Sequence, residues 1–191
     1  MTGTDRNKWN TKYLNGPSVH PPMPDWLRQH LALLPKGDSL DLATGLGAVP
    51  IELARRGWLS TGVDISDVAL RRARALATNL GAHVNWLVAD ITDYPLPPKR
   101  FDLITAFYYL DRRYFQTHVV QSLRPGGMLI LETFSIEQLQ IPDSHIRNPA
   151  YLLTPGELLQ LFPSLRTRAY REIKFSDRAV ASLVAQNCEC Y

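Results

Sequence analysis

The amino-acid sequence predicts an α/β fold in which a doubly wound, mostly parallel sheet carries helices on both faces. Short apolar strand patterns alternate with helical patterns along the 191 residues, and that order places parallel strands in one sheet. The segment 101–106 is almost continuously apolar, which is typical of a strand covered by helices on both faces. A hydrophobic content of 45% suffices for one full core, so we expect residues 1–191 to form a single domain.

Composition and charge exclude several classes of protein. The formal net charge of +3 is a mild excess, far from the concentrated basic face of an obligate nucleic-acid binder. Residues 1–10 lack the apolar core of a signal peptide, and the longest apolar run, 103–110, is too short to span a bilayer. Cys188 and Cys190 offer no disulfide framework and half of a structural zinc site. We therefore expect a soluble, cytoplasmic protein without a metal.

The individual elements follow from apolar periodicity and from proline and glycine stops. Helices are predicted at 24–34, 49–56, 66–80, 113–123 and 154–162. Strands are predicted at 39–42, 59–65, 84–89, 101–106, 128–132, 165–174 and 178–185. Arg71, Arg72 and Arg74 lie off the apolar face of their helix, a pattern more typical of a solvated face than of nucleic-acid contact.

The stretch 39–48 is the strongest candidate for a ligand site. It is an apolar strand that breaks into a glycine turn, where Gly45 and Gly47 allow positive φ and close approach of a bound group. The free N–H groups of the following helix can receive an anion or a carboxylate. A dinucleotide fingerprint would need a small residue where Pro50 stands, so that pattern is broken. A turn in which the glycines serve geometry alone is the third interpretation.

Acidic residues end the next two strands. Asp64 follows the second strand, where an acid commonly receives both hydroxyls of a ribose. A helix N-cap is the alternative role, although Ser66 and Asp67 are better placed for capping. Asp90 and Ile91 follow the third strand.

These motifs resemble those of the class I S-adenosylmethionine-dependent methyltransferases. Asp41, Gly45 and Gly47 match the acid and the Gly-x-Gly turn of the first motif, although the family usually has glycine at Ala43 and often cysteine at Thr44. Asp90 with Ile91 resembles the adenine site, and Leu-Arg-Pro-Gly-Gly at 123–127 resembles the turn before the fifth strand. The resemblance implies a Rossmann-like, seven-stranded sheet with an antiparallel last strand.

The same resemblance implies S-adenosylmethionine as cofactor and S-adenosylhomocysteine as its product. It implies cofactor contacts from Asp41, Ala43, Thr44, Gly45, Gly47, Asp64, Ile65, Asp90, Ile91, Ala106, Phe107, Trp9 and Tyr13. The polar, proline-bearing segment 1–24 is predicted to be irregular and to act as a tether or as a lid over the cofactor. Similarity to small tellurite-resistance-type methyltransferases favours the lid.

The long polar segment 135–154 is predicted to be a substrate lid, because a connection of this length is rarely filler in a compact chain. His145 and Glu132 are candidate general bases, and Arg147 is a candidate anchor for an anionic substrate. His145 as a solvent-facing loop residue is the alternative. Tyr108 is the fourth catalytic candidate, with lining of the acceptor pocket as its alternative role.

The predicted function is methyl transfer to a small-molecule acceptor by in-line displacement. A sulfonium methyl is already an electrophile, so the protein needs to bind, orient and exclude water. Phe107 and Tyr108 stand where enzymes acting on base amines often show Pro-Pro-Tyr, which argues against that subclass. RNA or protein methylation and cofactor binding without catalysis are the alternatives. We expect a monomer or homodimer.

Overall fold

The computed structural model describes residues 3–16, 21–32, 34–142 and 144–188. Cys190 and part of the predicted N-terminal segment, 17–20, lie outside these residues. The strands form a seven-stranded sheet in the order β3-β2-β1-β4-β5-β7-β6. The chain divides into an N-terminal unit, up to Leu96, and a C-terminal unit, from Pro97.

The N-terminal unit is a run of parallel strands connected by helices. β1 pairs with β2 and β2 pairs with β3, all in parallel, so the carboxyl ends of these strands share one edge. The strands are β1 (Asp38–Leu42), β2 (Leu59–Asp64) and β3 (Val84–Val88), and the helices are α1 (Gly3–Asn15), α2 (Asp25–Leu31), α3 (Ala48–Arg55) and α4 (Asp67–Asn79).

The predicted helix after the second strand is confirmed as α4. Ser66 is its N-cap and accepts a hydrogen bond from the Ala69 N–H at 3.1 Å. Ala69, Ala73 and Ala77 are buried, and their small side chains let the helix lie close to the sheet. Arg71 is exposed and pairs with Asp67 on the same helix, so this arginine belongs to a solvated face as predicted.

The prediction that the N-terminal segment is irregular is wrong for residues 3–15, which form helix α1. The prolines that suggested irregular structure begin at position 17, after the helix has ended. α1 has few apolar residues and is held by hydrogen bonds to α4 instead. Asn10 donates to Asp67 at 2.8 Å and accepts from the Ser66 hydroxyl at 2.7 Å, while Arg72 donates to the Tyr13 carbonyl at 2.6 Å.

The C-terminal unit contains the predicted antiparallel last strand. β4 pairs in parallel with β5, whereas β7 runs antiparallel to both β5 and β6. Leu129, Ile130 and Leu131 of β5 are fully buried and form the centre of its core. The strands are β4 (Phe101–Phe107), β5 (Leu123–Phe134), β6 (Arg166–Lys174) and β7 (Ala179–Gln186), and the helices are α5 (Arg112–Tyr114), α6 (Val120–Ser122) and α7 (Glu157–Leu161).

Two boundaries in this unit differ from the predictions. The single helix expected at 113–123 consists of α5 and α6 joined by a π-helical turn, Phe115–Val119. β5 starts at Leu123, before the predicted glycine turn, because Leu123 already pairs with Phe101 of β4. The turn is accommodated as an irregularity in the strand, where Gly126 has a φ of 80° and donates its N–H to the Asn187 carbonyl at 2.7 Å.

The predicted lid segment, 135–154, is anchored at both ends. Gln138 is buried and accepts from the Ala179 N–H at 2.8 Å. Leu153 is also buried, and it donates its N–H to the Phe134 carbonyl at 2.9 Å. Most residues from 144 to 151 are exposed, so a mobile lid stays a prediction for that stretch alone.

Candidate functional site

The glycine turn after β1 has an unusually tight backbone. Positive φ angles occur at Ala43 (54°), Gly45 (55°) and Gly47 (79°). The turn is fixed by the Thr44 N–H, which donates to the Val63 carbonyl at 3.0 Å, and by the Gly47 N–H, which donates to the Thr44 carbonyl at 3.0 Å. A left-handed conformation is uncommon for alanine, whereas glycine adopts it readily.

Asp64 closes this turn from the end of β2. Its carboxylate accepts the Gly45 N–H at 2.7 Å and the Ser66 N–H at 2.8 Å. Burial raises the pKa of Asp64, and these backbone donors act in the opposite direction. Ser66 occupies the N-cap of α4, so capping is not the role of Asp64. The carboxylate ties the glycine turn to the start of α4, and each oxygen keeps a second lone pair for a ligand.

Tyr13 of α1 lies on the same turn. Its hydroxyl oxygen is 2.6 Å from the position that a Cβ atom on Gly45 would occupy. Burial and the charge of Asp64 raise the pKa of Tyr13, so the phenol stays protonated. The Trp9 ring lies 6.1 Å from the Tyr13 ring, with the Lys12 ammonium 4.6 Å from the Trp9 centroid. Tyr13 thus lies at the glycine turn, and Trp9 stacks on Tyr13.

A tryptophan that the sequence analysis did not select fills the other side of the turn. A Cβ on Gly47 would lie 2.5 Å from Cη2 of Trp86 and 2.9 Å from Cβ of Ala73. The missing side chain of Gly47 therefore makes room for protein, whereas we had expected it to make room for a ligand. A tryptophan in a short edge strand was the available signal, but it does not indicate which element the ring contacts.

One buried polar atom in the turn has no hydrogen-bond partner in the described part of the chain. It is Oγ1 of Thr44, next to Gly45. Buried hydroxyls in proteins are almost always hydrogen-bonded, so an unsatisfied one at a predicted ligand site indicates that a bound group completes it. This observation fits a polar cofactor at the turn.

The remaining predicted contacts of the N-terminal unit lie at the ends of the same strands. Asp41 is buried in β1. Asp90 accepts from the Thr92 N–H at 3.0 Å and from its hydroxyl at 2.8 Å, which shapes the turn after β3. Ile91 is buried and Ile65 is half-buried.

In the C-terminal unit, Glu132 and Tyr108 are brought together. Glu132 is 3% exposed and accepts the Ser182 hydroxyl at 2.7 Å, an Arg171 N–H at 3.2 Å and the Tyr108 hydroxyl at 3.3 Å. Burial and the Glu132 charge raise the pKa of Tyr108 to about 12. Phe107 is opposite Glu132 in the β4–β5 register, and Ala106 is fully buried.

His145 and Arg147 belong to the exposed part of the predicted lid. Arg147 donates to the Leu139 carbonyl of its own loop at 3.1 Å. The structure thus brings two of the four predicted catalytic candidates into contact and leaves these two on the surface of the loop. Their roles as base and anion anchor stay predictions.

Arg112 fastens the end of that loop to α7. It donates to the carbonyls of Ala150 and Leu152, both at 2.8 Å, and forms an ion pair with Glu157. Its hydrogen bond to Glu157 is the largest reason that the pKa of this carboxyl lies at about 2, against an ordinary value of 4.5.

We expect Glu157→Gln to remove a pH-dependent part of the stability. A carboxylate whose pKa is lower in the folded state stabilises the fold fully above its unfolded pKa of 4.5 and loses that contribution as the pH falls to about 2. At pH 7 the variant should lose roughly 2 kcal/mol of unfolding free energy, and the difference should nearly vanish near pH 2. Urea titrations of both proteins across this range measure it. The exposed Glu137→Gln is the control and should change little; a difference that persists unchanged at pH 2 would contradict the assignment.

Two kinds of feature are absent from the described residues. Within 3–16, 21–32, 34–142 and 144–188, no helix has both the length and the apolar character needed to cross a bilayer. The same described residues contain no group of three or more His, Cys, Asp or Glu side chains arranged to hold a metal ion.

Comparison with known proteins finds a methyltransferase domain in this chain. Residues 40–127 match the model of the methyltransferase domain. Over 110 residues the chain is 34% identical to the ubiquinone/menaquinone biosynthesis C-methyltransferase UbiE of Geotalea daltonii, a match that covers 53% of this chain and 47% of that protein. The chain spans about half the length of the curated relatives it matches.

Solved structures share the fold. A structure determined for the conversion of a disulfide bond into a thioacetal group during echinomycin biosynthesis has a TM-score of 0.76 at 19% identity, covering 96% of this chain and 92% of that one. A SAM-dependent methyltransferase from Methanosarcina mazei has a TM-score of 0.70 at 19% identity, covering 88% of this chain and 99% of that one. The sheet order, the glycine turn and the matched domain together support a class I S-adenosylmethionine-dependent methyltransferase with S-adenosylmethionine as its cofactor.

Proposed function

We propose that this protein transfers a methyl group from S-adenosylmethionine to a small-molecule acceptor by in-line displacement. The observation that carries the proposal is the turn at 43–47, closed by the Asp64 carboxylate and holding the unsatisfied hydroxyl of Thr44. It combines strained backbone, a buried acid and an incomplete hydrogen bond, and such combinations concentrate at ligand sites.

The residues present fit the cofactor. The turn at Gly45 would hold its polar tail, Asp64 would accept from the ribose hydroxyls, and Asp90 with Ile91 would hold the adenine. Bound there, the cofactor supplies a methyl group on a positively charged sulfur. Tyr13 covers Gly45, so the phenol either contacts the cofactor or moves when it binds. These assignments follow from the family resemblance and from the contacts described above.

A small molecule is the acceptor class we favour. The relative from Geotalea daltonii is named for ubiquinone and menaquinone biosynthesis, in which a C-methyltransferase acts on a small molecule. The arginines of α4 offer little support for nucleic acid, because Arg71 pairs with Asp67 and Arg72 holds α1. We also propose that the protein is a monomer or a homodimer and that it is located in the cytoplasm.

We expect S-adenosylmethionine and S-adenosylhomocysteine to bind with dissociation constants in roughly the micromolar range, while NAD does not bind, because Pro50 interrupts the dinucleotide pattern. Isothermal titration calorimetry on the purified chain measures all three ligands. Tight binding of NAD without a response to S-adenosylmethionine would overturn the proposal. Incubation with methyl-labelled S-adenosylmethionine and pooled small acceptors, tRNA or peptides then identifies the acceptor class; label in tRNA or peptide alone would reject a small-molecule acceptor.

A further inference from the structure

A row of polar side chains crosses neighbouring strands of the C-terminal unit. Glu132 of β5 is opposite Ser182 of β7, and Ser182 is opposite Arg171 of β6. Contacts run along the whole row, since both Ser182 and Arg171 donate to Glu132 and Arg171 also donates to the Ser182 oxygen at 3.3 Å. The strand register therefore assembles an ion pair from residues 39 positions apart in sequence.

Burial of this polar row costs the fold stability. Glu132 and Ser182 are buried among the apolar residues of β5 and β7. The Arg171 side chain keeps 28% of its exposure, so the desolvation cost falls mainly on the Glu132 carboxylate, and such a pair commonly contributes no more stability than well-packed apolar residues of the same volume. A gain in stability therefore does not explain why these polar residues are buried here. The residue at the end of the row indicates a function.

The row ends at Tyr108. This residue follows β4 with a φ of 58°, a conformation that is strained for a bulky side chain. Glu132 holds it twice, through its carbonyl, which accepts the Tyr108 N–H at 2.8 Å, and through its carboxylate. The Tyr108 ring packs 5.1 Å from the ring of Phe134, yet the residue is 45% exposed. A strained, exposed aromatic residue is thus held in one orientation.

The hydrogen bond between Tyr108 and Glu132 is long. At 3.3 Å it is weaker than the 2.7 Å bond that Ser182 makes to the other carboxylate oxygen. Oε1 of Glu132 consequently has accepting capacity left, and the phenol oxygen of Tyr108 can accept as well as donate. An acceptor oxygen and a hydroxyl side by side form the complement of another hydroxyl, which both donates and accepts.

We propose that Tyr108 and Glu132 bind a hydroxyl group on an aromatic methyl acceptor, and that Arg171 is a positioning residue that holds Glu132 for this contact. The exposed Tyr108 face packs against the acceptor ring, the acceptor hydroxyl donates to Oε1 of Glu132, and Tyr108 donates to the acceptor oxygen. The proposal rests on the proposed function, because it names the acceptor class for the same reaction.

The test measures binding of two probes to protein saturated with S-adenosylhomocysteine. 2-Naphthol carries an aromatic hydroxyl, and 2-methoxynaphthalene has the same ring and oxygen but cannot donate. We expect 2-naphthol to bind the wild type about tenfold more tightly than 2-methoxynaphthalene, as one charge-assisted hydrogen bond implies. Glu132→Gln and Arg171→Met should each remove most of that preference, whereas Tyr108→Phe should weaken both probes alike, because both carry the oxygen to which Tyr108 donates.

The double variant separates positioning from general damage. If Arg171 acts through Glu132, Glu132→Gln with Arg171→Met should weaken 2-naphthol binding by about tenfold, no more than either single change. Arg171→Lys should restore most of the affinity because it keeps the charge. Arg168→Met is the matched control, since Arg168 stands on the same strand, is exposed and bonds to Gln186. It should bind both probes as the wild type does.

Several results would overturn the inference. Equal affinity of the two probes for the wild type, or losses that multiply to about a hundredfold in the double variant, would each reject it. Failure of 2-naphthol to bind a protein that does bind S-adenosylhomocysteine would also reject it, while leaving the proposed function intact. Failure of S-adenosylhomocysteine itself to bind would instead overturn the proposed function.

Discussion

Replacing Gly47 by alanine should lower the free energy of unfolding by about 3 kcal/mol. The backbone φ of 79° costs an L-residue roughly 1–2 kcal/mol. The new Cβ would also lie 2.5 Å from Trp86 and 2.9 Å from Ala73, and such overpacking typically costs about 1–3 kcal/mol. Chemical denaturation followed by circular dichroism measures the loss.

Gly81 provides the matched control. It has a φ of 63°, but nothing lies within 4 Å of the position of its Cβ, so Gly81→Ala carries the backbone strain without the collision. We expect it to cost about 1 kcal/mol. Adding Trp86→Leu to Gly47→Ala removes the ring that the new Cβ would contact. The double variant should recover part of the lost unfolding free energy. An equal loss of unfolding free energy in the two variants would show that the Trp86 ring moves aside without penalty. Packing against Trp86 would then not be the reason for glycine at position 47.

The contact behind this prediction illustrates what the sequence does and does not determine. The turn, its glycines and its place after an apolar strand were predicted from local patterns, and the structure confirms them. The partner of Gly47 was not predicted, because Trp86 is on another strand and contacts the turn through the pairing of β3 with β2. Periodicity reports which face of an element is buried, without reporting what covers it.

Helix α1 shows how composition can mislead. Its mean character is polar, and the prolines that follow it suggested an irregular segment. Its place is set by side-chain hydrogen bonds, such as those between Asn10 and the start of α4. Specific polar contacts of this kind do not produce a repeating pattern in the sequence, so they were not predicted. Tyr13 nevertheless lies against the glycine turn, and its action as part of a lid stays a prediction.

The C-terminal unit shows the same limit at a predicted site. Glu132 was selected because it ends a strand, but its partner Arg171 was not, since the register of the antiparallel strands β6 and β7 is what brings the two together. The ion pair also alters the interpretation of Glu132. Arg171 and Ser182 hold the carboxylate in one orientation, a geometry that fits positioning of a bound group, while general base catalysis stays a prediction.

Removing the Asp64 carboxylate should have the largest effect on cofactor affinity. Asp64→Ala deletes the acceptor for the Gly45 and Ser66 N–H groups and, in the proposed complex, the acceptor for the ribose hydroxyls. Each lost charge-assisted hydrogen bond is worth about 1.5–3 kcal/mol when buried. We therefore expect S-adenosylhomocysteine to bind at least about thirtyfold more weakly. Calorimetry measures the affinity, and circular dichroism confirms that the variant is folded.

A loosened turn would also weaken binding, so the ribose contact needs its own comparison. The 2′-deoxy analogue of S-adenosylhomocysteine lacks one of the hydroxyls that Asp64 is proposed to accept. The wild type should bind the analogue about tenfold less tightly than the parent compound, whereas Asp64→Ala should bind the two almost equally, because a hydroxyl without its acceptor contributes little. If the variant keeps the wild-type preference while losing affinity for both compounds, Asp64 acts through the glycine turn and another residue holds the ribose.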